Sequence, residues 1–264
     1  MAGVLSVQFN PIMSNKGTNL ERIEKCIREN LDKNLDLIVF PEFFSTGINH
    51  KSFQKDPEDE NGGNTIKVVQ GYAKKYCVNI ISGTVITKSN DNFYNTSFAI
   101  DRSGQILNKY NKIHLYCYEG GTEDKRITPG NDYVVVDFDF GKIGMAICYD
   151  IRYPCQFRKL SQMGAEIITV PSFWLTKSHL LQSEKDIWLS MNKIRAYDNL
   201  LYIVSSNTVG RVDDNHESIG NSCIVSPNGE ILQNAQSKET AIFEMLDLDI
   251  VRQYKKTYPI SSIN

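Results

Sequence analysis

The chain of 264 residues contains no hydrophobic run long enough to cross a membrane, and its start, MAGVLSVQFNP, has no basic segment leading into an apolar one. A cytoplasmic protein with no membrane partner is expected. An excess of one charge is lacking too. Lys and Arg number 29 against 31 Asp and Glu, giving a net charge of −2 and a pI near 6.1. A general nucleic-acid binder needs a basic footprint, so that class is excluded. Histidine is scarce (His50, His114, His179, His216), and none of the six cysteines, Cys26, Cys77, Cys117, Cys148, Cys155 and Cys223, stands in a CxxC pair. Zinc-type spacing is therefore missing and no metal is expected. Nor is there a glycine-rich phosphate loop at a strand–helix junction, so no cofactor is expected. No Pro/Gly/Ser-rich linker and no internal repeat interrupts the sequence, which points to one domain over residues 1–264.

What is present is an alternation of helix-like and strand-like patterns. Strands are expected at Val4–Phe9, Leu35–Phe40, Val78–Thr87, Phe93–Asp101, Glu166–Val170, Leu201–Ser205, Asn221–Val225 and Ala241–Leu246. Val134–Phe140 and Lys142–Cys148 meet around Gly141 as a hairpin. Thr18 and Glu21 form a capping-box pattern opening a helix with Leu20, Ile23, Ile27 and Leu31 on its apolar face. Further helices are expected over Thr65–Tyr76, around Phe157 and Leu160, and over Glu184–Asn199, the last burying Ile187, Trp188, Met191 and Ile194. Asn49–Asn64 reads as a solvated polar loop and Tyr116–Asn131 as an irregular loop over the site. The pattern is that of an α/β fold with mixed sheets.

Three reactive side chains fall at the ends of such elements. Cys148 closes the apolar run KIGMAIC and is followed by YDIRYP, a buried strand turning sharply into a helix, where catalytic nucleophiles are often placed. Glu42 follows LDLIVF and the ladder-ending Pro41, and Lys112 lies in NKYNKIHL. A thiol, a carboxylate and an amine can together carry out acyl transfer. His114 shares an extended segment with Lys112 and points to the same face, so alternation leaves both as partners for Cys148.

PEFFSTG (Pro41–Gly47), KYNKIHL (Lys109–Leu115) and ICYDIRYP (Ile147–Pro154) resemble, in order and spacing, the three signature segments of the nitrilase, or carbon–nitrogen hydrolase, superfamily. VLSVQFNP near the start, and KIRAYDN and VSPNGEIL later, extend the resemblance nearly end to end. It implies a four-layer α-β-β-α sandwich, pairing as a homodimer or higher homo-oligomer through helices near the nucleophile. It also implies hydrolysis of a small-molecule amide by a Glu42–Lys112–Cys148 triad through a thioester, and selects Lys112 over His114. Glu42 would be the base, and Lys112 with the Tyr149 backbone N–H would hold the oxyanion. Glu123 matches a second glutamate of the family, holding Lys112 or the amide nitrogen; a solvated loop glutamate is the other reading.

Phe173 and Trp174 are candidates for the substrate wall or plain core. Asp150 and Arg152 are expected to brace the elbow by hydrogen bonds and an ion pair, and Arg195 with Asp198 to form a structural pair. The closest motif match is to omega-amidase-like members, whose pattern the chain leaves at Cys155, where an acidic residue is usual. It leaves it again in Trp174–Trp188, which lacks a histidine–tryptophan pair. N-carbamoyl compounds are the next substrate class and nitriles a further one; a non-catalytic binding protein on the same fold is the alternative of another kind.

Overall fold

The computed structural model describes residues 1–48, 56–117 and 123–258. Its strands are β1 Ala2–Gln8, β2 Leu37–Val39, β3 Glu58–Asp59, β4 Asn79–Ile81, β5 Val85–Ser89, β6 Asn92–Ile100, β7 Ile106–Asn111, β8 Val135–Phe138 and β9 Gly141–Met145. They continue as β10 Ile167–Ser172, β11 Leu175–Lys177, β12 Tyr202–Asn207, β13 Val209–Arg211, β14 His216–Ile219, β15 Cys223–Val225, β16 Ile231–Asn234 and β17 Thr240–Leu246. The helices are α1 Lys16–Arg28, α2 Gly63–Tyr76, α3 Pro154–Gln162, α4 Leu181–Asn199 and α5 Leu248–Thr257.

One sheet runs β17-β1-β2-β4-β6-β5-β3, with β7 also on β6; the second runs β16-β15-β12-β10-β9-β8. Both are mixed: β1, β2 and β4 are parallel between antiparallel β17 and β6, and β9, β10 and β12 are parallel with β15 antiparallel. Alternation of side chains across the first sheet divides its residues between two cores. Val4, Leu37, Val39, Ile81 and Ala99 pack with Met145, Ile168, Val170 and Val204 of the second sheet. Leu5, Val7, Ile38, Ile80 and Phe98 face the other way, onto Ile23 and Ile27 of α1 and Ile66, Val69 and Ala73 of α2. Helices α3 and α4 cover the second sheet through Phe157, Leu160 and Trp188. The result is the α-β-β-α sandwich. The sheets are also stitched by polar contacts, Ser6 Oγ donating to the Ser205 carbonyl at 2.8 Å and Ser206 Oγ to that of Val7 at 2.5 Å.

Several local expectations change. Helix α1 starts earlier than the Thr18–Glu21 pattern implies: Asn15 is its N-cap, accepting from the Thr18 N–H at 3.2 Å, and Leu31 lies beyond the helix, exposed. The run Val78–Thr87 is two strands, β4 and β5, because Gly83 turns the chain at a φ of 67°. A Cβ at Gly83 would sit 2.2 Å from the Pro41 carbonyl oxygen, so the turn packs directly on the segment that delivers Glu42. Helix α4 buries Trp188 as expected, and Met191 in part, but the rest of its buried face is mostly polar. Trp188 is buried with Asn192, Arg195, Ala196 and Asn199, whereas Ile187 and Ile194 are 45% and 50% exposed. Polar residues tolerate that burial because they are paired: Asn192 with the Trp188 carbonyl and Ser205, Asn199 with the Arg195 carbonyl. Arg195 donates to the Ile151 carbonyl at 2.9 Å, which replaces the expected pairing with Asp198 as its structural contact. Of the polar loop Asn49–Asn64, residues 49–55 and with them His50 lie outside the described residues; the rest holds β3 and a buried Glu58. Residues 118–122 of the Tyr116–Asn131 loop also lie outside them.

Candidate active site

Strand β9 ends at Met145, Ile147 is still extended, and Cys148 turns the chain with a φ of 46°. A non-glycine residue held there stores about 1–3 kcal/mol, and such strain collects at functional turns. A single 3-10 turn, Cys148–Arg152, leads to α3, whose first residue is Pro154. Asp150, fully buried, clamps the turn. It accepts from the Ile147 N–H at 2.8 Å, from the Tyr110 hydroxyl at 2.7 Å, and from the His114 N–H at 3.0 Å and Nδ1 at 2.8 Å. The expected bracing by Asp150 is present, with His114 and Tyr110 as partners. The His114 ring stacks on Tyr153, centroids 3.5 Å apart, and is not among the residues lining the cavity around Cys148. Arg152 takes another place, its guanidinium carbon 5.4 Å from the Tyr149 ring and 5.3 Å from that of Trp174.

The other sequence-predicted residues converge on Cys148. Glu42 follows β2 and Lys112 follows β7, both on the first sheet, while Cys148 and Phe173 follow β9 and β10 of the second. Lys112 Nζ donates to Glu42 Oε1 and to Glu123 Oε2, each at 2.9 Å. All three side chains are at least 96% buried. Glu123 is therefore no solvated loop residue; its Oε2 also accepts from the Tyr116 N–H at 2.8 Å. Glu42 Oε2 accepts from the Phe173 N–H at 2.8 Å. Gly130 holds Lys112 from behind: its N–H donates to the Lys112 carbonyl at 2.9 Å, and a Cβ on it would lie 2.2 Å from the Asn111 oxygen.

Burial pushes the Glu42 carboxyl above its ordinary range, against the pull of Lys112 and with the help of the Glu123 charge. Burial opposes the Lys112 charge, but Glu123, Glu42 and Cys148 outweigh it and hold the ammonium well above its usual value. The Cys148 thiol is pushed well above its own, first by burial and then by the Glu42 charge, opposed by Lys112. A neutral thiol at rest, sharing one cavity with a carboxylate of enhanced basicity, is arranged for proton transfer on attack.

These residues open into a cavity of about 310 Å³. Tyr149, Phe173 and Trp174 line it as expected, together with Phe43, Tyr116, Arg152 and, from the small sheet β11-β14-β13, Lys177 and His216. Trp174 Nε1 is fixed by Glu184 Oε2 at 2.8 Å. Among the described residues no group of three or more His, Cys, Asp or Glu is disposed to hold a metal ion. One close neighbour escaped the sequence reading: Asn95, in the middle of β6, donates from Nδ2 to both Glu42 Oε1 and Glu123 Oε1 at 2.8 Å. It is the first of three successive buried polar residues of β6, with Thr96 and Ser97, and nothing in the sequence singles it out.

Fold and cavity together define an α-β-β-α sandwich with a buried candidate active site around Cys148. Comparison with known proteins gives the family. The carbon–nitrogen hydrolase family matches residues 4–256, and the chain belongs to that family. It is 26% identical to the omega-amidase NIT3 of Saccharomyces cerevisiae, over 98% of this chain and 91% of that protein. It is 28% identical to the 2-oxoglutaramate amidase of Bacillus subtilis, over 96% and 94%. The crystal structure of Saccharomyces cerevisiae Nit3, a member of branch 10 of the nitrilase superfamily, superposes with a TM-score of 0.88 at 24% identity, covering 99% of this chain and 96% of that one. The chain is thus an enzyme that hydrolyses a carbon–nitrogen bond of the amide type.

Proposed function

We propose that the protein is an omega-amidase-like enzyme that converts a small amide bearing a distal carboxylate into the acid and ammonia, with Glu42, Lys112 and Cys148 as its triad. The observation that carries the triad is the shared burial of the thiol, the carboxylate and the ammonium at the floor of one cavity. Sγ of Cys148 attacks the amide carbon while its proton passes to Glu42. The oxyanion forms between the Lys112 ammonium and the Tyr149 backbone N–H; one such donor is worth roughly two to three orders of magnitude in turnover. The C–N bond breaks as Glu42 returns the proton to nitrogen, and ammonia leaves a thioester on Cys148. Water then attacks, its proton going to Glu42, the C–S bond breaks and the thiol regains the proton. Glu123 holds Lys112 and steadies its charge through both halves.

A distal carboxylate is supported by Arg152, whose charge lies against the Tyr149 and Trp174 rings on the cavity wall. It agrees with the substrate names of the omega-amidase and 2-oxoglutaramate amidase relatives. One domain carries this chemistry, since both sheets supply the site. A homodimer is supported by the outward face of α4, where Ile187, Ile194 and Tyr197 are exposed. A cytoplasmic setting fits the six cysteines, all of them free thiols. The test is ammonia release from omega-amides of keto acids, plain amides, N-carbamoyl amino acids and nitriles, by wild type, Cys148→Ala and Arg152→Ala. Release by wild type and not by Cys148→Ala, with KM for the carboxylate-bearing amides alone raised in Arg152→Ala, is the expected result. Equal release from plain amides and no selective effect of Arg152→Ala would overturn the substrate reading.

A further inference from the structure

The two carboxylates of the site share one ammonium, so one negative charge is left over in a dry place. Like charges this close repel strongly unless neutral donors intervene. Asn95 is the intervening group. It is fully buried, its side-chain amide nitrogen reaches Oε1 of Glu42 and Oε1 of Glu123 at 2.8 Å each, and its backbone carbonyl accepts the Lys112 N–H at 2.9 Å. Both of its side-chain N–H bonds are thereby used, one on each carboxylate.

The consequence lies in which oxygen of Glu42 is free to work. Oε1 already takes two donors, Lys112 Nζ at 2.9 Å and Asn95 Nδ2 at 2.8 Å, while among the described residues Oε2 takes only the Phe173 N–H. Phe173 follows β10, which pairs with β9, the strand that leads to Cys148, so Oε2 is the oxygen turned toward the sheet of the nucleophile. We infer that Asn95 is a positioning residue that occupies Glu42 Oε1, bridges it to Glu123, and so commits Oε2 to every proton transfer with Cys148 and the amide nitrogen. This rests on the triad reading above.

The charged and titratable groups facing Glu42 are Lys112 after β7, Glu123 from its 3-10 turn and Cys148 at the elbow. Losing the Asn95 donor removes stabilisation of the Glu42 anion with those groups unchanged, so Glu42 would hold its proton to higher pH.

The experiment measures the pH dependence of Cys148 alkylation by iodoacetamide, and of kcat/KM on the best amide, in wild type, Glu42→Gln, Asn95→Ala and Asn95→Ser. The expected result for Asn95→Ala is an acid limb moved up by about one pH unit in both profiles, with kcat lowered about tenfold or more and KM little changed. Asn95→Ser, which keeps one donor, should fall between it and wild type, and it provides the same reading if Asn95→Ala does not fold. Acid limbs and kcat at wild-type values in whichever of the two variants folds would overturn the inference, as would failure of both to fold, which would make Asn95 a requirement of the fold. If Glu42→Gln alkylates like wild type, the triad reading itself fails; if only the Asn95 variants do, the triad stands and this inference alone is lost.

Discussion

The backbone N–H of Phe173 donates to Glu42 Oε2 at 2.8 Å across 131 residues of sequence, joining the strand ends of the two stacked sheets. A base oriented in this way exists only while the sheets are docked. Its environment also sets its acidity. Burial raises the Glu42 proton affinity above the ordinary carboxylate value of 4.5. The acid limb of kcat/KM is therefore expected at a higher pH than an exposed glutamate would give. For stability the sign is the reverse of the usual carboxylate case. The native state holds this proton where the unfolded chain has lost it, so this one group makes the fold less stable as pH rises through the interval above 4.5. A pH–rate profile of wild type, beside unfolding curves of wild type and Glu42→Gln, checks both.

Among the described residues Lys112 is the one cation paired with both Glu42 and Glu123, and removing it leaves two buried carboxylates facing each other. Lys112→Met is expected to abolish turnover and to cost about 3–5 kcal/mol of stability. The double variant Lys112→Met/Glu123→Gln should recover part of the stability and none of the activity. Urea unfolding of both variants decides; equal stability of the single and double variants would show that the carboxylates do not feel each other.

His114 belongs to the brace beneath the elbow, through Asp150 and Tyr153. His114→Ala should retain activity within about tenfold, where Lys112→Met loses it. Asp150→Ala strips partners from the buried Ile147 N–H and Tyr110 hydroxyl together, and should cost roughly 3–5 kcal/mol. Turnover and thermal melts of the three proteins separate a proton-transfer role for His114 from a structural one.

At a φ of 46°, Cys148 occupies a region that favours glycine. Among inactive variants, Cys148→Gly is therefore expected to be at least as stable as Cys148→Ala, by up to about 1 kcal/mol, although it buries less. A lower melting temperature for the glycine variant would show that the turn carries no strain.

Much of this enzyme could be read along the chain, and the reason is local. A strand followed by a proline or a sharp turn must stop, so Glu42 and Cys148 could be placed at element ends from patterns a few residues long, whereas Lys112 follows β7, a strand those patterns did not give. The same patterns gave α2, the β8–β9 hairpin and an α/β fold with mixed sheets, while the stacking of two sheets between helix layers was implied by the family resemblance. Tertiary structure decided what depends on contacts between distant segments. Whether His114 or Lys112 faces Cys148 was settled by Asp150, 36 residues away from His114, which captures the imidazole. Glu123 could be taken for a solvated glutamate until Lys112, Tyr116 and Asn95 closed around it. Ile187 and Ile194 of α4 were misread as buried because Asn192 and Arg195 find hydrogen-bond partners inside, which offsets the penalty that would send polar side chains outward. Asn95 could not have been recognised at all. Its role lies in two hydrogen bonds spanning 53 and 28 residues, and periodicity records which side a residue faces without recording what waits there.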